Sequence, residues 1–151
     1  EYPIQQGQSY YMDLLAREKN GPRWVMEEDG IAAFTPYASY YNYEVWLMPM
    51  RKIDNITQLT KTERRGLAKT LQYLLKKIDT LGLPYNFYFH QVVKYNEEHL
   101  YIRLAPRKAV WAGVELGTRL IINSVPPEEA AAFYRGKKEA PKRRKATKKK
   151  K

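Results

Sequence analysis

One segment constrains this chain more than any other. Thr60-Lys61-Thr62-Glu63 reads as a capping box, and Leu67, Leu71, Leu74, Leu75 and Ile78 repeat at helical spacing behind it. Gly82 and Pro84 then stop the pattern, so a long amphipathic helix runs from about Lys61 to Leu81. Such a helix is stable only if its leucine stripe is covered. The rest of the sequence supplies short β-prone runs to cover it. Arg23 to Met26 and Ile31 to Phe34 flank an Asp29-Gly30 hairpin signal, and Tyr43 to Met48 is closed by Pro49. Asn86 to Val93 and His99 to Leu104 form a further hairpin across a polar turn, and Arg119 to Asn123 suits a last strand. A short helix is expected over Tyr10 to Lys19, and another from Pro127 to about Tyr134, with acids in its first turn. The fold class is α+β, an antiparallel sheet of about five strands with one long helix packed on it.

Charge divides the chain in two. The formal net charge is +11 from 27 Lys+Arg against 16 Asp+Glu. Residues 137–151 hold ten basic residues and the single acid Glu139, a local +9, which leaves residues 1–136 with only +2. The expected organisation is one domain over 1–136 and a Lys/Arg-rich tail over 137–151. With no cysteine, disulfides, thiolate metal sites and cysteine nucleophiles are excluded. No apolar run approaches a membrane span and no secretory leader is legible, so a cytoplasmic location and no membrane partner are expected.

Four blocks carry a resemblance. They are Tyr43-Glu44-Val45-Trp46-Leu47-Met48-Pro49 with Arg51 after it; His90-Gln91; His99 through Arg107; and Gly113-Val114-Glu115-Leu116-Gly117-Thr118 followed by Ser124-Val125-Pro126-Pro127-Glu128-Glu129-Ala130-Ala131. In this order they resemble the histidine-triad (HIT-like) superfamily, and most closely the carboxyl-terminal half of galactose-1-phosphate uridylyltransferases. The resemblance implies a HIT-like sheet with a long helix, two such units paired in a homodimer or an internal duplication, and transfer or hydrolysis at a nucleotide phosphate. It also implies a strand whose alternating His-x-His presents a nucleophile or metal ligands on one face. Here His99 holds the first position, Tyr101 the second and Arg103 the third.

The second position matters most for chemistry. A neutral imidazole attacks phosphate and leaves again near pH 7, whereas a phenol with a pKa of about 10 stays protonated and forms a more stable ester. The resemblance further implies that His90 and His99 match two metal histidines, with Tyr101 in place of the third. Two imidazoles are too few for a closed metal site, so no cofactor is expected. Arg103 and Arg107, on or beside the strand, are candidates for bidentate phosphate binding. Tyr37, Tyr40, Tyr41, Tyr43 and Trp46 offer stacking surfaces for bases or packing for a core. Lys61, Arg64, Arg65, Lys69, Lys76 and Lys77 decorate the long helix away from its leucines.

The tail calls for a different partner. Lys137, Lys138, Lys142, Arg143, Arg144, Lys145, Lys148, Lys149, Lys150 and Lys151 suit a polyphosphate whose counterions they displace. The leading expectation is therefore a catalytically degenerate HIT-like domain that binds RNA, as a ribosome or ribonucleoprotein component. The alternative is a nucleotidyltransferase or nucleotide hydrolase resembling the uridylyltransferases, with His99 and Tyr101 in its site and a partner chain completing it. A third reading is a structural partner subunit that pairs with a separate catalytic half, and a homodimer or pairing with another HIT-like chain is expected.

Overall fold

The computed structural model describes residues 9–92, 99–107, 113–118 and 122–137. In chain order the elements are α1 (Tyr10–Glu18), β1 (Trp24–Glu28), β2 (Ile31–Phe34), β3 (Val45–Pro49), α2 (Lys61–Leu81), β4 (Tyr85–His90), β5 (Tyr101–Pro106), α3 (Gly113–Thr118) and α4 (Pro127–Tyr134). The strands form one antiparallel sheet in the order β1-β2-β3-β5-β4. The α+β architecture read from the sequence is the observed one.

Local chemistry explains the firmest boundaries. Asp29 and Gly30 both take positive φ, 50° and 81°, as a two-residue hairpin loop between β1 and β2 requires. At the start of α2 the Thr60 hydroxyl accepts from the Glu63 amide at 3.2 Å, and the Glu63 carboxylate accepts from the Thr60 amide at 2.7 Å. Arg51 clamps the same carboxylate from its Nε at 2.7 Å, and this bond, working against partial burial, pulls the Glu63 pKa down to about 2. Gly82, at φ 59°, ends the helix in the left-handed conformation.

Both faces of the sheet are covered. On one, Leu74 and Ile78 of α2 are fully buried with Ile31, Ala33, Val45, Leu47, Ile102 and Leu104. Gly66 permits this close approach: a Cβ there would lie 2.4 Å from the Glu28 carbonyl oxygen. On the other face, Leu15 of α1 packs against Ala32, Phe34, Met48 and Tyr101. Helix α4 is tied to both layers, with the Tyr134 hydroxyl donating to the Tyr43 carbonyl at 2.6 Å and the Tyr73 hydroxyl of α2 donating to the Tyr134 carbonyl.

Several local expectations change. No strand forms at the Ile122–Asn123 end of the expected Arg119 to Asn123 run, and residues 119–121 lie outside the described ones. The Gly113–Thr118 stretch is a short helix. The basic side of α2 is partly neutralised, since Arg65 pairs with Asp29 at 2.9 Å and Lys69 with Glu28 at 2.6 Å. Among the described residues, no helix is long and apolar enough to cross a membrane.

Candidate functional site

The strand singled out in the sequence lies inside the sheet, between β3 and β4, and its register decides what its side chains can do. Strand β5 begins at Tyr101, paired opposite His90, while Arg103 lies opposite Trp46 on one side and Tyr88 on the other. Tyr101 and Arg103 therefore share a face, as period-two alternation requires. His99 precedes the strand and is buried rather than displayed. It is 1% exposed, and its Nε2 lies 2.9 Å from the Pro49 carbonyl oxygen. A carbonyl only accepts, so Nε2 carries the proton. Burial lowers the His99 pKa, against a smaller opposing effect of the Pro49 bond, and keeps the ring neutral. A buried imidazole with Nε2 engaged in this way is not presented to a phosphate.

Tyr101 is the centre of an aromatic stack. Its ring lies between Trp46, at 4.5 Å and 17°, and His90, at 4.1 Å and 14°. Tyr11 of α1 closes over the stack, with its ring centroid 5.7 Å from Tyr101 and 6.0 Å from His99. Burial, and then the neighbouring Tyr11, push the Tyr101 pKa far above the usual phenol range. As a nucleophile or anionic ligand near neutral pH, Tyr101 is silent.

Arg103 is engaged inside the protein. Its Nε and one terminal nitrogen face the Glu44 carboxylate at 2.6 and 3.0 Å, and Glu44 is 1% exposed. Burial opposes the arginine's charge, but the Glu44 hydrogen bond and charge outweigh it and raise the Arg103 pKa. Glu44 also accepts from the Tyr40 and Tyr41 amides and from Trp46 Nε1, at 2.9, 3.1 and 2.8 Å. The rings of Tyr40, Tyr41 and Tyr88 surround the guanidinium at 5.4, 5.4 and 5.8 Å. Arg103 is thus not a free bidentate phosphate clamp. Arg107, past the end of β5, is exposed, with its amide bonded to the Pro84 carbonyl at 2.7 Å. Glu44 is the residue that sequence reasoning passed over; its only signal was an acid beside Val45 and Trp46 in a β-prone run.

The metal implied by the resemblance does not fit the residues present. Among the described residues, no three His, Cys, Asp or Glu side chains converge. His99 has only Nδ1 left to offer, a buried atom without a hydrogen-bond partner. His90 lies flat on a phenol that stays protonated. Of the tail cations, Lys137 is exposed at the end of α4, whereas Lys138, Lys142, Arg143, Arg144, Lys145 and Lys148 to Lys151 lie outside the described residues.

Comparison with known proteins agrees with this fold. Residues 1–105 match the family described as galactose-1-phosphate uridyl transferase, C-terminal domain. The galactose-1-phosphate uridylyltransferase of Thermotoga maritima is 34% identical over 128 residues, covering 75% of this chain and 40% of that protein. A solved uridylyltransferase superposes with a TM-score of 0.78 at 25% identity, over 88% of this chain and 46% of the other. A HIT-like protein from Bartonella henselae shares the fold, with a TM-score of 0.60 at 18% identity. The chain thus spans less than half the length of the uridylyltransferases it matches.

Proposed function

Since the chain belongs to the galactose-1-phosphate uridyl transferase C-terminal domain family, we propose that it is the completing half of a uridylyltransferase-like assembly acting on nucleoside diphosphate sugars. In this role it supplies a folded platform and binding surface, and the nucleophile comes from elsewhere. The observation that carries the reading is Tyr101, a buried, protonated phenol held between Trp46 and His90 at the position where the family resemblance sets an imidazole. The buried His99, with Nε2 on Pro49, supports it. After incubation with UDP-glucose, the intact mass of the chain alone is expected to show no uridylyl adduct. An adduct that disappears in His99→Ala would overturn the proposal.

Pairing belongs to the same reading: a second copy of this chain is proposed on the β4 edge, while the nucleophile, which an identical copy equally lacks, comes from a different chain. Strand β4 is an edge of the sheet, and its sequence Tyr85-Asn86-Phe87-Tyr88-Phe89-His90 has no Lys, Glu, Asp or Pro to blunt it. Tyr85, Phe87 and Phe89 are 40%, 44% and 41% exposed on the side that carries α2. An uncharged edge opposes an identical edge without repulsion, as a two-fold contact requires.

A second reading, RNA binding through the basic tail in a ribosome or other ribonucleoprotein, is favoured by a different observation. Arginines of the body face acids, as in Arg23–Glu18, Arg51–Glu63, Arg65–Asp29 and Arg103–Glu44. The tail has one acid for ten bases, and it departs at Gly136 beside Lys77, whose Nζ would lie 3.5 Å from a Cβ placed on that glycine. The expected result is RNA binding that weakens linearly in log affinity against log salt and is lost when residues 137–151 are removed. Binding unchanged by salt or by the truncation contradicts it.

A further inference from the structure

We infer that Tyr101 is the side chain that keeps metal out of this site, and that the Trp46–Tyr101–His90 stack has taken over the cross-linking of β3, β5 and β4 that a metal centre would otherwise provide. The inference goes beyond the proposed function and stands or falls without it. The stack joins three neighbouring strands through parallel rings at 4.5 and 4.1 Å, and Tyr11 extends it to α1. Offset-stacked aromatic contacts of this kind add to the burial of the rings themselves.

The donors around the stack show why one residue decides the matter. His90 and Tyr101 are directly opposed on antiparallel strands, a placement in which Cβ atoms lie about 4.5–5.5 Å apart. His99 stands two residues ahead with its Nε2 fixed as a donor to Pro49 and its Nδ1 buried and unpartnered. A histidine at 101 would bring a third imidazole to this cluster, enough for the open type of divalent site in which water takes the remaining position. Tyr101 instead places a ring stacked between Trp46 and His90 at 4.5 and 4.1 Å, which fills the space between those side chains and leaves two imidazoles, too few for such a site.

The test uses the full chain, purified without added metal, with elemental analysis and thermal unfolding in Zn²⁺ and in EDTA. The wild type is expected to carry far less than one metal per chain and to melt at the same temperature in both. Tyr101→Phe, which keeps the stacked ring, should behave likewise. Tyr101→His should bind Zn²⁺ at least about tenfold more tightly than the wild type, with a melting temperature that rises with Zn²⁺ and falls back in EDTA. The inference is overturned by stoichiometric metal in the wild type, by EDTA destabilising it, or by a folded Tyr101→His that gains no Zn²⁺ affinity. Should Tyr101→His not fold, the wild type and Tyr101→Phe still decide: metal in either, or sensitivity to EDTA, contradicts the inference, and metal-free, EDTA-insensitive melting of both sustains it.

Discussion

Glu44→Ala is expected to destabilise the fold by about 3–5 kcal/mol, the usual cost of removing one partner from a buried ion pair. For a domain of this size that lowers the melting temperature by on the order of 10 °C. The reason is the company Glu44 keeps. Its carboxylate faces the Arg103 guanidinium and takes three further hydrogen bonds from the Tyr40 amide, the Tyr41 amide and Trp46 Nε1. Without it, Arg103 keeps its charge, 15% exposed and ringed by Tyr40, Tyr41 and Tyr88. Cation–π contacts worth about 0.5–2 kcal/mol offset only part of the lost pairing. Removing both charges should cost less than the sum of the single changes, because a buried cation no longer stands alone. Urea unfolding of Glu44→Ala, Arg103→Ala and the double variant checks this. A loss below about 1 kcal/mol for Glu44→Ala, or strict additivity, would show that the pair is not acting as a buried unit.

This network also marks where sequence reading stops. Helix α2 was legible to both ends because its signals are local: Thr60 and Glu63 cap each other, the leucines repeat along one face, and Gly82 supplies the left-handed residue. The Asp29-Gly30 hairpin was legible for the same reason. The fate of His99 was not, because it depends on the Pro49 carbonyl, brought across from β3. Alternation suggests His99 beside Tyr101, where the Tyr11 ring does reach both, but it does not reveal that the imidazole is buried on a carbonyl from another strand. The commitment of Arg103 to Glu44 spans 59 positions and is set by the β3–β5 register, which no local pattern encodes. The same holds for Arg65 and Lys69, whose pairing with Asp29 and Glu28 depends on how α2 crosses the β1–β2 turn.

The second large effect concerns the edge of the sheet. Phe87→Lys places a cation in the middle of β4, on the side where Tyr85 and Phe89 are also exposed. In a two-fold pairing the substitution occurs twice, so like charges meet near the axis as two aromatic contacts are lost. One charge on an edge strand is a device by which natural sheets avoid edge-to-edge association. The fold itself should tolerate the change, because Phe87 is 44% exposed and its loss opens no cavity in the core formed by Leu74, Ile78 and Leu104. Association is therefore expected to fall by at least about a hundredfold, with little change in the unfolding midpoint.

The central claim, that this domain is a pairing platform that joins its own copy through the β4 edge, is tested most directly by the mass of the full chain in solution. Sedimentation equilibrium at increasing concentration should give twice the 17.8 kDa chain mass for the wild type. Phe87→Lys should stay at the single-chain value. A wild type that remains at 17.8 kDa across the range, or a Phe87→Lys variant that pairs as the wild type does, would contradict the account.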